Sequence, residues 1–180
     1  MTEATALSHE VRAGLGLGKF DRLDPRDLAE SLDVPIWTLT SMSDESVNIG
    51  HLVSGEPEVF SAVTVFNGHR RTIVHNDGHL LVRQNSNLAH ELSHALLHHP
   101  PTPALDDVGN RIWKQDIEDE AAALAGCLLM TAEAALATAR NRWSVVEAAT
   151  RFAISEQMVN YRINKTGARK RVERAQAARR

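Results

Sequence analysis

The stretch Asn87-Leu88-Ala89-His90-Glu91-Leu92-Ser93-His94-Ala95-Leu96-Leu97-His98 decides how the rest of the chain is read. Leu88, Leu92, Ala95 and Leu96 recur at helical spacing, which predicts an amphipathic helix over 86–98. Pro100-Pro101-Thr102-Pro103 stops it. Within the helix, His90 and His94 stand four residues apart, so both imidazoles project from one face. Two imidazoles so placed can reach one Zn²⁺ at about 2.0–2.1 Å. Glu91 follows the first histidine and points a carboxylate toward the open coordination position, where it can take a proton from an activated water. The plainer alternative is a surface helix carrying two satisfied imidazoles.

A third ligand must come from elsewhere. The extended pattern with Gly at 97 and His at 100 is absent, because Leu97 and Pro100 stand there. His98 lies about 12 Å from His90 along the helix axis, too far to share a tetrahedral ion. His98 and His99 therefore read as rim, surface or substrate-contact residues. Asp116-Ile117-Glu118-Asp119-Glu120-Ala121 opens a second helix, expected over 110–130, and offers four carboxylates. With Ile117, Ala121, Leu124 and Leu128 as its buried stripe, Asp119 faces away, and Glu118 and Glu120 flank the stripe on opposite edges. Glu120 shares an edge with Cys127, and a carboxylate beside an apolar face is costly unless paired or ligating. The face argument slightly prefers Glu120, while Asp116 and Glu118 are also explained as acids favoured at a helix start.

Working outward, the upstream half predicts a helix over 4–17 and a second from Pro25 to about Leu32, capped by Asp24. Strands follow at 34–39, 47–53 and 59–66, and 41–45 reads as a loop. Asn67-Gly68 signals a hairpin, with Arg71 to His75 as the return strand and 80–83 as a further short strand. Arg71 to His75 is a candidate sheet edge against which an extended peptide could pair. Shorter helices are expected over 132–142, 144–152 and 155–163. Strands first and helices afterwards predict an α+β fold. Three segments result: an N-terminal helical segment 1–45, a core 46–140 with a small antiparallel sheet on the two helices above, and a helical segment 141–180. His75, His79, Arg83 and His99 are candidate oxyanion donors or substrate contacts, with Tyr161 a weaker one.

Composition sets outer limits. The chain has 180 residues, 43% hydrophobic and 24% charged, with aromatics at only 4%, so its core is aliphatic. No apolar run approaches the length of a membrane span, and no membrane partner is expected. The first residues lack a basic and an apolar signal region. The single cysteine, Cys127, excludes an internal disulfide framework, and the expected location is the reducing cytoplasm. From Arg162 onward eight basic residues face one acid, Glu173, leaving 12 basic and 22 acidic residues in the body. A basic tail on an acidic body suits an anionic partner or a solvated helix end. Residues 149–163 resemble a helix-turn-helix, with Ser155 capping the second helix and Asn160 and Arg162 as candidate DNA contacts.

The order of the histidine helix, then Glu118-Asp119-Glu120-Ala121, then Leu128-Leu129-Met130, resembles the ImmA/IrrE family of metallopeptidases. Residues 61–65, 70–76 and Arg83-Gln84 are similar to its paired strands and the approach to its metal helix, so the resemblance spans about residues 20 to 165. It implies a minimal zincin-like domain, His90, His94 and Glu120 as zinc ligands, and Glu91 as catalytic base. It also implies a protein substrate, a helix-turn-helix transcriptional repressor cut to derepress a stress or mobile-element regulon. Ala122 stands where the family has Asn, and Thr131 where it has Pro. Mn²⁺ or Fe²⁺ also suit two histidines and a carboxylate. The competing expectation is a non-enzymatic DNA- or repressor-binding regulator, or a toxin–antitoxin component, acting through the C-terminal helices.

Overall fold

A computed structural model describes residues 2–43, 60–100 and 114–178. Among these residues the chain forms nine helices and a three-stranded sheet, an α+β fold. The strand expected at 47–53 lies outside the described residues.

Helix α1 (Glu3–Gly14) starts where the Thr2 side chain accepts from the amide of Thr5. Helix α2 (Pro25–Ser31) has Asp24 as its cap and proline at its first position, the pairing its sequence predicts. Strand β1 (Ile36–Thr38) runs directly into a short helix, α3 (Leu39–Ser43), where a loop was expected. Strands β2 (Ala62–Asn67) and β3 (Arg70–His75) form the hairpin. Their register closes at Asn67 opposite Arg70, so the two turn residues are Gly68 and His69, one residue later than the Asn-Gly signal suggests. Gly68 takes φ +61° there, a conformation that costs glycine little. The sheet order is β1-β3-β2, with β1 parallel and β2 antiparallel to β3, so the sheet is mixed where an antiparallel one was expected. β3 is therefore the central strand, which corrects its reading as a sheet edge.

Helix α4 (Leu81–Leu96) carries the histidine motif. Its first turn takes in residues 81–83, which were expected to form a strand. The Gln84 side-chain Nε2 donates to the carbonyls of Asp77 and His79, while the Leu80 carbonyl accepts from the backbone amides of Arg83 and Gln84. Helix α5 (Gln115–Leu129) packs against α4 through a core in which Leu88, Leu92, Leu124 and Leu128 are wholly buried. Leu23, Leu28 and Val34 from the N-terminal segment and Ile73 from β3 complete this core.

On the other side of α4 and α5 lie α6 (Ala132–Arg140), α7 (Val145–Phe152), α8 (Glu156–Lys165) and α9 (Ala168–Ala177). A second cluster joins Ala89 and Ala125 to Phe152, Val159 and Ile163. Ser144 and Glu147 form a reciprocal capping box on α7, and Ser155 caps α8. Ala153 turns the chain between them in the left-handed region, φ 50°. Thr131 caps α6, accepting from the amide of Ala134 and donating to the carbonyl of Lys19. A threonine thus does at 131 what proline could not, since proline has no hydroxyl to cap with.

The C-terminal end of α5 is held from two sides. The buried Arg12 guanidinium donates to the Leu128 carbonyl at 2.6 Å, and buried Arg162 donates through Nε to the Met130 carbonyl at 2.7 Å. Those carbonyls have no partner within the helix, and cations there also suit its dipole. Gly126 makes room, because a Cβ at that position would meet Cδ of Arg162 at 3.1 Å. No described helix is by itself long and apolar enough to cross a membrane.

Candidate metal centre

The four-residue spacing on α4 brings His90 Nε2 and His94 Nε2 to 3.2 Å of each other. Glu118, in the first turn of α5, places Oε2 at 3.0 Å from His90 Nε2 and 3.8 Å from His94 Nε2. The three ligand atoms all lie within 4.8 Å of one another. Tetrahedral zinc bonds of about 2.0–2.1 Å put neighbouring donors about 3.3 Å apart, and the three separations bracket that edge. The donor set and its spacing fit a divalent cation with at least one position left open.

Glu118, and not Glu120, is the carboxylate that the fold brings to the histidines. Two residues of helix turn the side chain by about 200°, so the two glutamates face different neighbours. The edge that Glu120 shares with Cys127 faces α1, where Cys127 Sγ lies 4.0 Å from Thr5 Oγ1. The opposite edge meets α4. The Glu120 side chain is 67% exposed, and its Oε2 sits 3.2 Å from His99 Nε2.

His99 is buried, not a rim or surface residue. His98 takes φ 54°, ending α4 and folding the next residue back, so that the His99 amide donates to the His94 carbonyl at 3.0 Å. His99 Nδ1 then lies 2.9 Å from His94 Nδ1. With His94 Nε2 turned to a cation, its Nδ1–H donates to His99 Nδ1, and His99 Nε2–H donates to Glu120. This chain orients the His94 ring and fixes its tautomer. Glu120 therefore reaches the centre through two imidazoles. Burial, and then neighbouring His90, lower the pKa of His94 to about 4, so the ring is neutral near pH 7.

Glu91 stands beside this centre. Thr64, on the inward face of β2, donates its hydroxyl to Glu91 Oε2 at 2.6 Å. Burial lifts the Glu91 carboxyl above its usual range, opposed by the Thr64 bond and by His90. Nothing in the sequence pairs Thr64 with Glu91; the period-two alternation of β2 turns Thr64 inward while exposing Val63 and Val65.

The other candidates lie elsewhere. His75 is buried on β3 opposite Thr38 and Ala62, and burial followed by Arg26 lowers its pKa. Arg83 donates to Ser61 Oγ at 3.3 Å, two turns before His90. The described contacts bring neither to the three ligand atoms. Asn160 is exposed on α8. Arg162 is only 3% exposed and spent on the Met130 carbonyl, which corrects its reading as a DNA contact.

The family described as the IrrE N-terminal-like domain, Peptidase M78, matches residues 57–164. No curated protein matches the sequence.

Proposed function

The chain belongs to this peptidase family, and on that premise we propose that it is a zinc-dependent endopeptidase. The observation that carries the reading is the convergence of His90, His94 and Glu118 within 4.8 Å, beside a buried Glu91. His90, His94 and Glu118 would hold the cation through Nε2, Nε2 and a carboxylate oxygen. A cation held there would supply an acidified water and polarisation of the scissile carbonyl. Glu91 takes the proton of the attacking water and delivers it to the leaving amine nitrogen. Thr64 holds Glu91 Oε2, so that the carboxylate keeps one orientation through both transfers. His99 and Glu120 hold the His94 ring in the tautomer that leaves Nε2 unprotonated.

The proposed substrate is a helix-turn-helix transcriptional repressor. That assignment rests on the resemblance of the two ligand-bearing helices to the ImmA/IrrE pattern. The non-enzymatic alternative draws on α9, where Arg169, Lys170, Arg171 and Arg174 are exposed.

The test compares wild-type protein with Glu91→Gln for metal content and peptide hydrolysis. About one zinc per chain in both is expected, with hydrolysis slowed by about 10²–10⁴-fold in the variant. A variant that hydrolyses as fast as wild type would sink the reading. Full biological activity in Glu91→Gln would favour the regulator instead.

A further inference from the structure

A cavity of about 660 Å³ opens beside His90, between α4, α5 and α8. Tyr161 and Lys165 wall it from α8, and Ala122 and Asp119 from α5. A second cavity of about 570 Å³ continues along α4 and α8 toward Leu80 and Arg83, walled by Ser155 and Gln157 at its far end. The two share Ser86, Met158 and Tyr161, so they form one trench. One of its ends lies against a residue of the metal centre. The other lies at Leu80, which is 78% exposed.

We propose that this α4–α8 trench binds the substrate chain on one side of the scissile bond, as an extended peptide of about four residues with apolar side chains. The inference rests on the peptidase reading and adds to it where the substrate lies. The length follows from geometry: about ten residues of α4 separate Leu80 from His90, or about 15 Å at 1.5 Å per residue. An extended peptide covers that distance in about four to five residues.

Three observations select a peptide as occupant. First, His90 forms part of the wall, so whatever fills the trench abuts the reacting bond. A chain cut at the metal centre must leave it in some direction, and the trench provides one. Second, Asn87 stands one turn before His90, and its Nδ2 is buried without a hydrogen-bond partner among the described residues. A buried amide donor left unpaired is costly, and turning the Asn87 side chain into the trench pairs it with a peptide carbonyl next to the scissile bond. Third, apolar groups predominate in the rest of the wall: the Tyr161 ring, the Met158 thioether and alanine methyls outweigh Ser86, Ser155 and Gln157, with Asp119 and Lys165 at the metal end and Arg83 at the other. That is a surface for apolar side chains, and its mixed charge does not suit a polyanion. The helix pair that resembles a DNA reader thus supplies a wall of the substrate cleft.

The experiment digests a proteome-derived peptide library with zinc-loaded wild type, Ala122→Trp, Tyr161→Ala and Glu91→Gln, and reads the cleavage positions by mass spectrometry. Ala122 is exposed on α5, so tryptophan fills the trench without entering the core, and Tyr161→Ala widens it by a second route. Equal zinc content and equal helical circular dichroism establish that the variants are folded. The expected result is an apolar preference within about four positions on one side of the cut. Both variants change it on that side alone, and cleavage at favoured sites falls about tenfold or more. Wild-type rates and preferences in both variants would overturn the trench and leave the peptidase reading intact. If wild type cleaves no more than Glu91→Gln, the peptidase reading fails and the trench assignment falls with it.

Discussion

Helices α4 and α8 each carry a pair of residues that the sequence marks as functional, and the fold treats the two pairs differently. His90 and His94 are four apart, and their Nε2 atoms end 3.2 Å from each other. Asn160 and Arg162 are two apart, and one is exposed while the other is buried. A four-residue step turns a helix by about 400°, back to nearly the same face, whereas a two-residue step turns it by about 200°. The same contrast separates Glu118 from Glu120. Spacing therefore says more than residue type about which side chains can act together.

The sharpest way to break that comparison is at the two glutamates. Glu118→Ala should weaken zinc binding by more than about 100-fold, beyond the range of changes to groups that only support a ligand. Glu120→Ala should weaken it by about tenfold or less, because among the described residues Glu120 pairs with His99, and the Glu120 side chain is mostly exposed. Competition with a chelator of known affinity measures both. A larger loss in Glu120→Ala would return Glu120 to the metal and mean that the two edges of α5 are exchanged.

His99 should fall between them. His99→Phe keeps a ring in the buried site and removes the acceptor for His94 Nδ1. Zinc affinity should drop about 10–100-fold. Adding Glu120→Ala to His99→Phe should cost little more, since both cut one chain. Fully additive losses would show that Glu120 acts on the centre by some other route.

These relations mark what the sequence carries and what it leaves open. The histidine pair was legible because its partners lie within one turn of one helix. Asp24-Pro25 and Ser155 were legible because capping is local, and each caps the helix its sequence predicts. The choice between Glu118 and Glu120 was not, because the apolar stripe fixes which face of α5 is buried but not which neighbour meets each edge. Packing of Cys127 near Thr5 decides that, across more than 100 residues of chain. His99 was hidden for another reason: α4 ends at a left-handed histidine, not at the glycine that usually marks such a turn. Leu80-Leu81-Val82 is too short an apolar run to show a period, and residues 81–83 wind into α4.

The smallest expected effect concerns Arg162 and turns the contrast between the two helices into a stability measurement. Its guanidinium holds the Met130 carbonyl just past the end of α5 and lies over Gly126. Arg162→Ala leaves that carbonyl unpaired and opens a space beside it, a cost of about 1–3 kcal/mol. For a chain of this size the melting temperature should fall by about 3–10 °C. Asn160→Ala, on the exposed side of the same helix, should change stability by less than about 0.5 kcal/mol. Neither variant should alter retention on duplex DNA at fixed salt. If Arg162→Ala melts like wild type and binds DNA more weakly, Arg162 faces solvent in solution. The clamp on α5 would then be held by Arg12 alone, and the two-residue argument would fail on the helix where it predicts most.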